Sequence, residues 1–350
     1  MIAELFINCH LSLHMKTFLG LLFVLIVATA QIRQASVLLT KGEIKIVDQT
    51  WCPGATTLVI ATGTFNSTLH SKGWGYLNIE TNPGFDDDQI MYAAGLLQGY
   101  LTHVEIAQFH RNMWIQTFTN AKTPVPLEKY LIEQDQWQRA MVERNPTDPF
   151  WYQLGLTRKQ FDGVLDGYNM VSDFPLSKVD LLVQTSDGDL YELLPALNIT
   201  TMPSTLTDIL EAQSCSALIK ILPDKSDILA SHVTFTKYWA MLRLHVTMNL
   251  QGLDPKYTKT TRFSYTTKPG YLYSKDDAYI TGSGLWITET TISVHNEKLL
   301  SNVHPRTVLT WARAMIAARG SNTPKGWTDL FKQYNSGTYC NQWYVLILFH

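Results

Sequence analysis

The chain has 350 residues, 45% of them apolar and 17% charged, enough to bury a core in one large domain or two modest ones. Its 28 Lys and Arg stand against 30 Asp and Glu. The resulting formal charge of -2 excludes the long-range positive field that attracts a phosphate backbone, so no nucleic-acid partner is expected.

At the N-terminus, Lys16 precedes an apolar run from Phe18 to Ala30, followed by small residues in Gln34-Ala35-Ser36. This is the pattern of a signal peptide and leader over 1–36, with the mature chain starting between Gln31 and Val37 and routed into the secretory pathway. The run makes a helix of about 20 Å against a hydrocarbon core of about 30 Å, so no permanent membrane span is expected. The secretory route fits two N-glycosylation sequons, Asn66-Ser67-Thr68 and Asn198-Ile199-Thr200. Beyond the leader lie Cys52, Cys215 and Cys340, an odd number, so at least one thiol is left over; if Cys52 and Cys340 pair, Cys215 is free.

Alternating, β-branched patterns predict strands over Ser36 to Asp48, Thr56 to Phe65 and Gly73 to Thr81. Asp86, Asp87 and Asp88 then precede Ile90, Ala94, Leu97, Leu101 and Val104, an apolar spacing that predicts a long helix with acids at its positive end. Two further helices fit Pro124 to Tyr168, broken at Asn145-Pro146 and Asp148-Pro149. Val179 to Leu194 reads as a hairpin about Asp187-Gly188, and Pro203 to Ser214 as an exposed connector. A second hairpin is predicted from Cys215 to Leu222 and Asp227 to Thr234, then strands over Thr260 to Thr267 and Ala278 to Thr291 and a helix over Pro305 to Ala318. Blocks of strands and helices, rather than strict alternation, favour a layered α+β fold.

No Gly-x-Ser-x-Gly elbow, phosphate-binding Gly-rich loop, His-Glu-x-x-His or Cys-x-x-Cys is present. His103, Glu105 and His110 do not place two histidines one turn apart, and no metal or cofactor is expected. Ala212 to Lys220 places Cys215 between small residues where the connector meets a strand; composition alone gives this the reading of a small buried hydrophobe.

From Lys72 to Trp343 the chain resembles the phospholipase B-like proteins, a family related to the N-terminal nucleophile hydrolases. The resemblance rests on Gly73-Trp74-Gly75-Tyr76-Leu77, Glu80-Thr81-Asn82, Tyr92-Ala93-Ala94-Gly95, Ser214-Cys215-Ser216-Ala217-Leu218-Ile219-Lys220, Ser283-Gly284-Leu285, Glu289-Thr290-Thr291 and Tyr334-Asn335-Ser336-Gly337-Thr338-Tyr339. It implies a four-layer αββα sandwich of two packed antiparallel sheets, with 37–214 and 215–350 as two parts of one hydrolase domain and Cys215 opening a central strand. It implies autoproteolysis between Ser214 and Cys215, after which the Cys215 thiol and its new α-amine act as nucleophile and base. It also implies roles for His232 in the active site, Phe235 in the substrate pocket, where the family usually has Trp, and Thr291 near the oxyanion. Asn335, Ser336 and Asn341 match the family near the pocket, with Cys340 in place of its usual Asn.

The resemblance stops after Trp343, leaving Tyr344 to His350 unmatched, while family members continue for roughly another 200 residues that carry a further active-site Asn and Arg. The expected activity is deacylation of a phospholipid or other acyl lipid at an ester or amide bond. The alternative is a truncated, inactive secreted lipid-binding protein.

Overall fold

The computed structural model describes residues 31–48, 58–118, 121–199, 215–292 and 294–348. The chain opens with β1 (Gln31–Thr40), β2 (Glu43–Asp48), β3 (Leu58–Thr68), a one-turn helix α1 (Leu69–Lys72) and β4 (Trp74–Thr81). A helical block follows: α2 (Asp87–Leu101), α3 (His103–Thr117), α4 (Val125–Arg144), α5 (Pro149–Asn169), α6 (Lys178–Thr185) and α7 (Leu190–Ala196). Strands return as β5 (Ser216–Ile221), β6 (Ile228–Val233), β7 (Leu244–Leu250), β8 (Arg262–Thr267), β9 (Ala278–Thr281) and β10 (Leu285–Thr291). Helices α8 (Thr310–Gly320) and α9 (Pro324–Phe331) precede the last strand, β11 (Asn341–Ile347).

The α+β class holds. In place of the two antiparallel sheets expected, the described strands form a nine-stranded mixed sheet, β11-β10-β9-β8-β7-β4-β3-β1-β2, and a separate β5-β6 hairpin. Neighbours in the large sheet are antiparallel except β4 and β7, which run parallel because the whole helical block lies between them in the chain. β5 therefore belongs to a two-stranded sheet and is not the central strand expected for Cys215 to open; it lies against β10. β1 begins at Gln31, so Gln31 to Ser36, assigned above to the leader, pair with Thr62 to Ser67 of β3. The leader run itself, Cys52 and the 203–214 connector lie outside the described residues. No helix among the described residues is long and apolar enough to cross a membrane.

In β4 and β7 every second side chain is buried, Leu77 and Ile79 in one and Val246 and Met248 in the other, giving the sheet a core face for the helices. Asp86 caps α2, with the Gln89 side chain accepting its N–H in return. The long helix expected from Ile90 through Val104 is divided at Thr102, whose hydroxyl donates to the Gln98 carbonyl at 2.6 Å. His103, Glu105 and His110 consequently sit on α3. The predicted break near Asn145-Pro146 falls between α4 and α5, and the hairpin around Pro223 to Ser226 forms as expected.

Helices α2 and α5 touch backbone to backbone. A methyl added at Gly95, Gly99, Gly163 or Gly167 would lie 2.0 to 2.2 Å from a carbonyl oxygen of the facing helix, closer than any real contact. Gln98 and Gln160 then meet at 3.2 Å, and Arg319 of α8 donates to Gln160, Gln153 and Thr157 of α5. A layer of buried polar groups is thereby satisfied internally.

The hairpin expected over Val179 to Leu194 is instead the helix pair α6 and α7. Ser177 and Asp180 form a capping box for α6, and Leu181, Leu182 and Val183 are all buried, which a one-faced strand could not achieve. Asp187-Gly188 does turn the chain, but between helices, and Asp189 beyond it caps a distant helix. Its carboxylate accepts the N–H groups of Thr310 and Trp311 at the start of α8.

Two stability outcomes follow. Gly99→Ala is expected to cost more than about 2 kcal/mol in chemical denaturation, since it forces two backbones apart, whereas Gly155→Ala, facing only a Val142 methyl at 3.0 Å, stays within about 1 kcal/mol of the parent. Asp189→Ala is expected to cost about 2 to 4 kcal/mol, because it strands the α8 N-terminus in the interior.

Candidate active site

Cys215 lies immediately before β5, and the tight Pro223 to Ser226 turn returns the chain so that His232 pairs across from Ala217. Asp277 comes from the turn leading into β9. The Cys215 Sγ, a ring nitrogen of His232 and a carboxylate oxygen of Asp277 all lie within 4.8 Å of one another. Both Asp277 and Tyr339 hold positive φ, 55° and 45°, and they bond each other: the Tyr339 hydroxyl donates to Asp277 Oδ2 at 2.9 Å. Two non-glycine residues in left-handed backbone, joined side chain to side chain, mark a locally strained site.

Cys215 opens onto a cavity of about 660 Å³, with Phe235, Thr291, Tyr191, Glu192 and Lys275 also in its wall. Two of the three other residues singled out with Cys215, Phe235 and Thr291, thus share its cavity, and His232 sits within reach of its sulfur. Phe235 is 56% exposed, a ring at the mouth. Thr291 closes β10 opposite Asn341 of β11, so the run from Tyr344 left unmatched above continues a strand paired to the site's own β10. Asn198 is exposed at the cavity rim, while Asn66 sits half-buried in β3 between Ile32 and Tyr76. Ser214 lies outside the described residues.

The electrostatics are set by burial. Asp277 and Glu289 are both fully shielded from water, and burial together with the neighbouring carboxyl pushes Asp277 far above the usual carboxylate range. Burial raises Glu289 as well, so the two share a proton rather than both ionising. Lys275 is 7% exposed; burial disfavours its ammonium, yet Tyr191, Asp187, Asp277 and Cys215 around it hold its pKa up and keep it charged. It packs over the Tyr339 ring at 4.4 Å and donates to that hydroxyl at 3.3 Å. Burial pushes the Cys215 thiol up, with Lys275 and the Phe235 backbone pulling against it. Burial lowers His232, so its imidazole is neutral and able to accept a proton.

The remaining candidates are used structurally. Asn335 accepts from Arg313 and from the Gly337 N–H, each at 3.0 Å, and Ser336 accepts from the Thr338 hydroxyl at 2.7 Å. Cys340 is a free thiol directed at the Gly337 carbonyl, and Cys215 is a free thiol as well; Cys52, the expected partner of Cys340, lies outside the described residues. Glu105 pairs with Arg33 at 2.6 Å, His103 with the Tyr100 carbonyl at 2.8 Å, and His110 stacks 3.8 Å from the Trp114 ring.

Residues 61–348 match the profile of the phospholipase B family. The chain belongs to the phospholipase B family. The match begins before Lys72 and passes beyond Trp343, so the family pattern includes the whole of β11. Phospholipase-B 81 of Drysdalia coronoides is 36% identical over 301 residues, covering 82% of this chain and 54% of the relative. Phospholipase B-like 1 of Homo sapiens is 34% identical over 315 residues, covering 85% and 57%, and phospholipase B-like protein G of Dictyostelium discoideum is 35% identical over 315 residues, covering 82% and 52%. The chain spans about half the length of the curated relatives it matches.

Sequence reasoning missed Lys275, Asp277, Tyr339 and Glu192 as parts of this site. The available signal was Ser274-Lys275-Asp276-Asp277 set between Tyr271, Tyr273 and Tyr279, a charged run inside an aromatic stretch. Glu192 accepts the Tyr339 N–H at 2.7 Å, and burial pushes its pKa up to about 7. Folding therefore favours its proton: the full stability is present below the ordinary value of 4.5 and is lost as pH rises toward about 7. Glu192→Gln keeps the acceptor and removes the slope. Its stability relative to the parent should climb by up to about 3 kcal/mol across that window in urea denaturation. Parallel curves for the two proteins would contradict it.

Proposed function

We propose that this chain carries the nucleophile of a hydrolase that deacylates phospholipids or related acyl lipids, with Cys215 as that nucleophile. The observation that carries the reading is the placement of Cys215 on a cavity shared with Thr291 and Phe235, with His232 and Asp277 behind it. The cavity wall also holds Pro195, Val294 and Leu300, apolar surface suited to an acyl chain.

In the proposed sequence the Cys215 sulfur first attacks the Ser214 carbonyl. The peptide nitrogen leaves as the α-amine of Cys215, and water hydrolyses the thioester, separating 37–214 from 215–350. The free thiol then passes its proton to the α-amine or to neutral His232 and attacks the substrate carbonyl. A carbon–sulfur bond forms, Thr291 donates toward the developing oxyanion, and collapse expels an alcohol or amine that takes up the proton. Water cleaves the thioester, releasing a carboxylic acid and restoring the thiol. Phe235 lines the pocket, and the whole protein adopts the four-layer αββα sandwich of the N-terminal nucleophile hydrolases, its second sheet growing from the β5-β6 hairpin beside β10. The assignment goes with a secreted or lysosomal location and glycans on Asn66 and Asn198.

Expression through a secretory host followed by N-terminal sequencing should yield a second chain beginning at Cys215, and Cys215→Ala should abolish both the cut and the hydrolysis. Hydrolysis surviving that change would place the nucleophile elsewhere, whereas an uncut chain that binds lipid without turnover would identify a carrier. Thr291→Val should lower kcat about 100-fold with KM little altered.

A further inference from the structure

We propose that Cys215, His232 and Asp277 form a binding site for one zinc-class divalent cation. Among the described residues, this is the place where three such donors converge, all within 4.8 Å of one another and drawn from three separate segments of the chain. A tetrahedral zinc with bonds of about 2.0 to 2.3 Å sets its donors about 3.5 Å apart, so the closure required from 4.8 Å is at most about 1.3 Å. Cys215, half-buried at the start of its strand, is the side chain free to make it.

Each donor is held as a metal ligand is usually held, with one atom engaged and another left over. Asp277 Oδ2 receives the Tyr339 hydroxyl at 2.9 Å, whereas Oδ1 is buried without a hydrogen-bond donor. His232 Nδ1 lies 3.5 Å from the Thr234 hydroxyl, whereas Nε2 is buried with no hydrogen bond of full geometry, the ring being held only by the backbones of Glu289 and Asp276. The carboxylate oxygens of Glu289, next to Asp277, have no donor beyond the proton that the two carboxyls share. Two facing buried carboxyls coexist only with a proton between them or a cation in its place. With Cys215 as thiolate and both carboxyls ionised, the ammonium of Lys275 leaves two negative charges unbalanced, which a divalent ion cancels. The donor types choose the ion: thiolate and imidazole favour zinc or cadmium and reject magnesium and calcium. Cys215 itself lines the cavity, which gives an ion from solvent a route to the donors.

The consequence for catalysis rests on the reading of Cys215 as nucleophile: a sulfur bound to zinc cannot attack a carbonyl, so the ion holds the enzyme off until a chelator removes it. Binding itself does not rest on that reading. The purified full chain is titrated with Cd2+ alone, and the ultraviolet thiolate-to-cadmium charge-transfer band is followed. One equivalent is expected. The band should vanish in Cys215→Ser, persist in Cys340→Ser, and require at least about tenfold more metal in Asp277→Asn or His232→Ala. Because a buried variant can fail to fold, unaltered protein is also treated with iodoacetamide, and Zn2+ is expected to shield Cys215 but not Cys340, as read by peptide mass. A band surviving Cys215→Ser, or Cys215 alkylated equally fast with and without Zn2+, overturns the site. Metal binding in a protein without hydrolase activity would leave the site standing and remove only its inhibitory role.

Discussion

Two carboxyl groups without access to water, Asp277 and Glu289, impose the demands that the rest of the site meets. Burying one unpaired carboxylate costs several kcal/mol, and burying two face to face costs more. The protein offsets this in three ways: a shared proton, the Tyr339 hydroxyl on Asp277, and the ammonium of Lys275 packed on the Tyr339 ring. Each device fixes a different segment. Tyr339 anchors the loop before β11, Lys275 and Asp277 anchor the turn before β9, and Glu289 fixes β10. Thr288 adds a hydrogen bond to the Asp277 carbonyl, holding the left-handed turn against its neighbour strand. Cys215 inherits its surroundings from these constraints.

The helical block reaches the same point by a different route. Glycines at the α2–α5 contact let the two backbones touch, and α5 in turn receives Arg319 from α8. The N-terminus of α8 is capped by Asp189, one residue ahead of α7, and α7 carries Tyr191 and Glu192 to the cavity wall. Gly188 completes the junction, since a side chain there would collide with the Tyr339 ring at 2.8 Å. A helix contact deep in the core and a strained tyrosine beside the Cys215 cavity are therefore parts of one packing arrangement, without any long-range device.

What could be read from the sequence was local or familial. The capped helix after Asp86, the break near Pro146 and the Cys215 to Thr234 hairpin follow from turn chemistry and periodicity, and all three form. The stretches around Cys215 and Glu289 carry the family resemblance that the profile match bears out. Asp187-Gly188 misled because a turn dipeptide does not say whether strands or helices flank it, and the segment's three consecutive buried residues are settled by tertiary packing. Gly95, Gly99, Gly163 and Gly167 sit four apart in two pairs, a small-residue spacing that brings helices close, yet it is silent about which helices meet. Lys275 and Asp277 escaped notice because a charged tetrapeptide ordinarily marks an exposed turn. Their burial is decided by partners contributed from residues 191, 289 and 339.

The cavity joins two chemically unlike ends. At the inner end stand a thiol, a neutral imidazole and a carboxyl pair that shares a proton, its remaining charge facing the ammonium of Lys275. At the outer end Phe235, Pro195 and Leu300 present apolar surface to solvent, which is costly to maintain unless something apolar covers it. A molecule that pairs an uncharged, polarised carbonyl with a hydrocarbon chain meets both ends in one orientation. A small polar substrate would leave the outer wall wet, and a hydrocarbon without a carbonyl would leave Thr291 and Cys215 without work. On the proposed reading, an acyl chain with its carbonyl is the pairing that this arrangement of residues accommodates with least penalty, its reacting carbon turned toward the Cys215 sulfur.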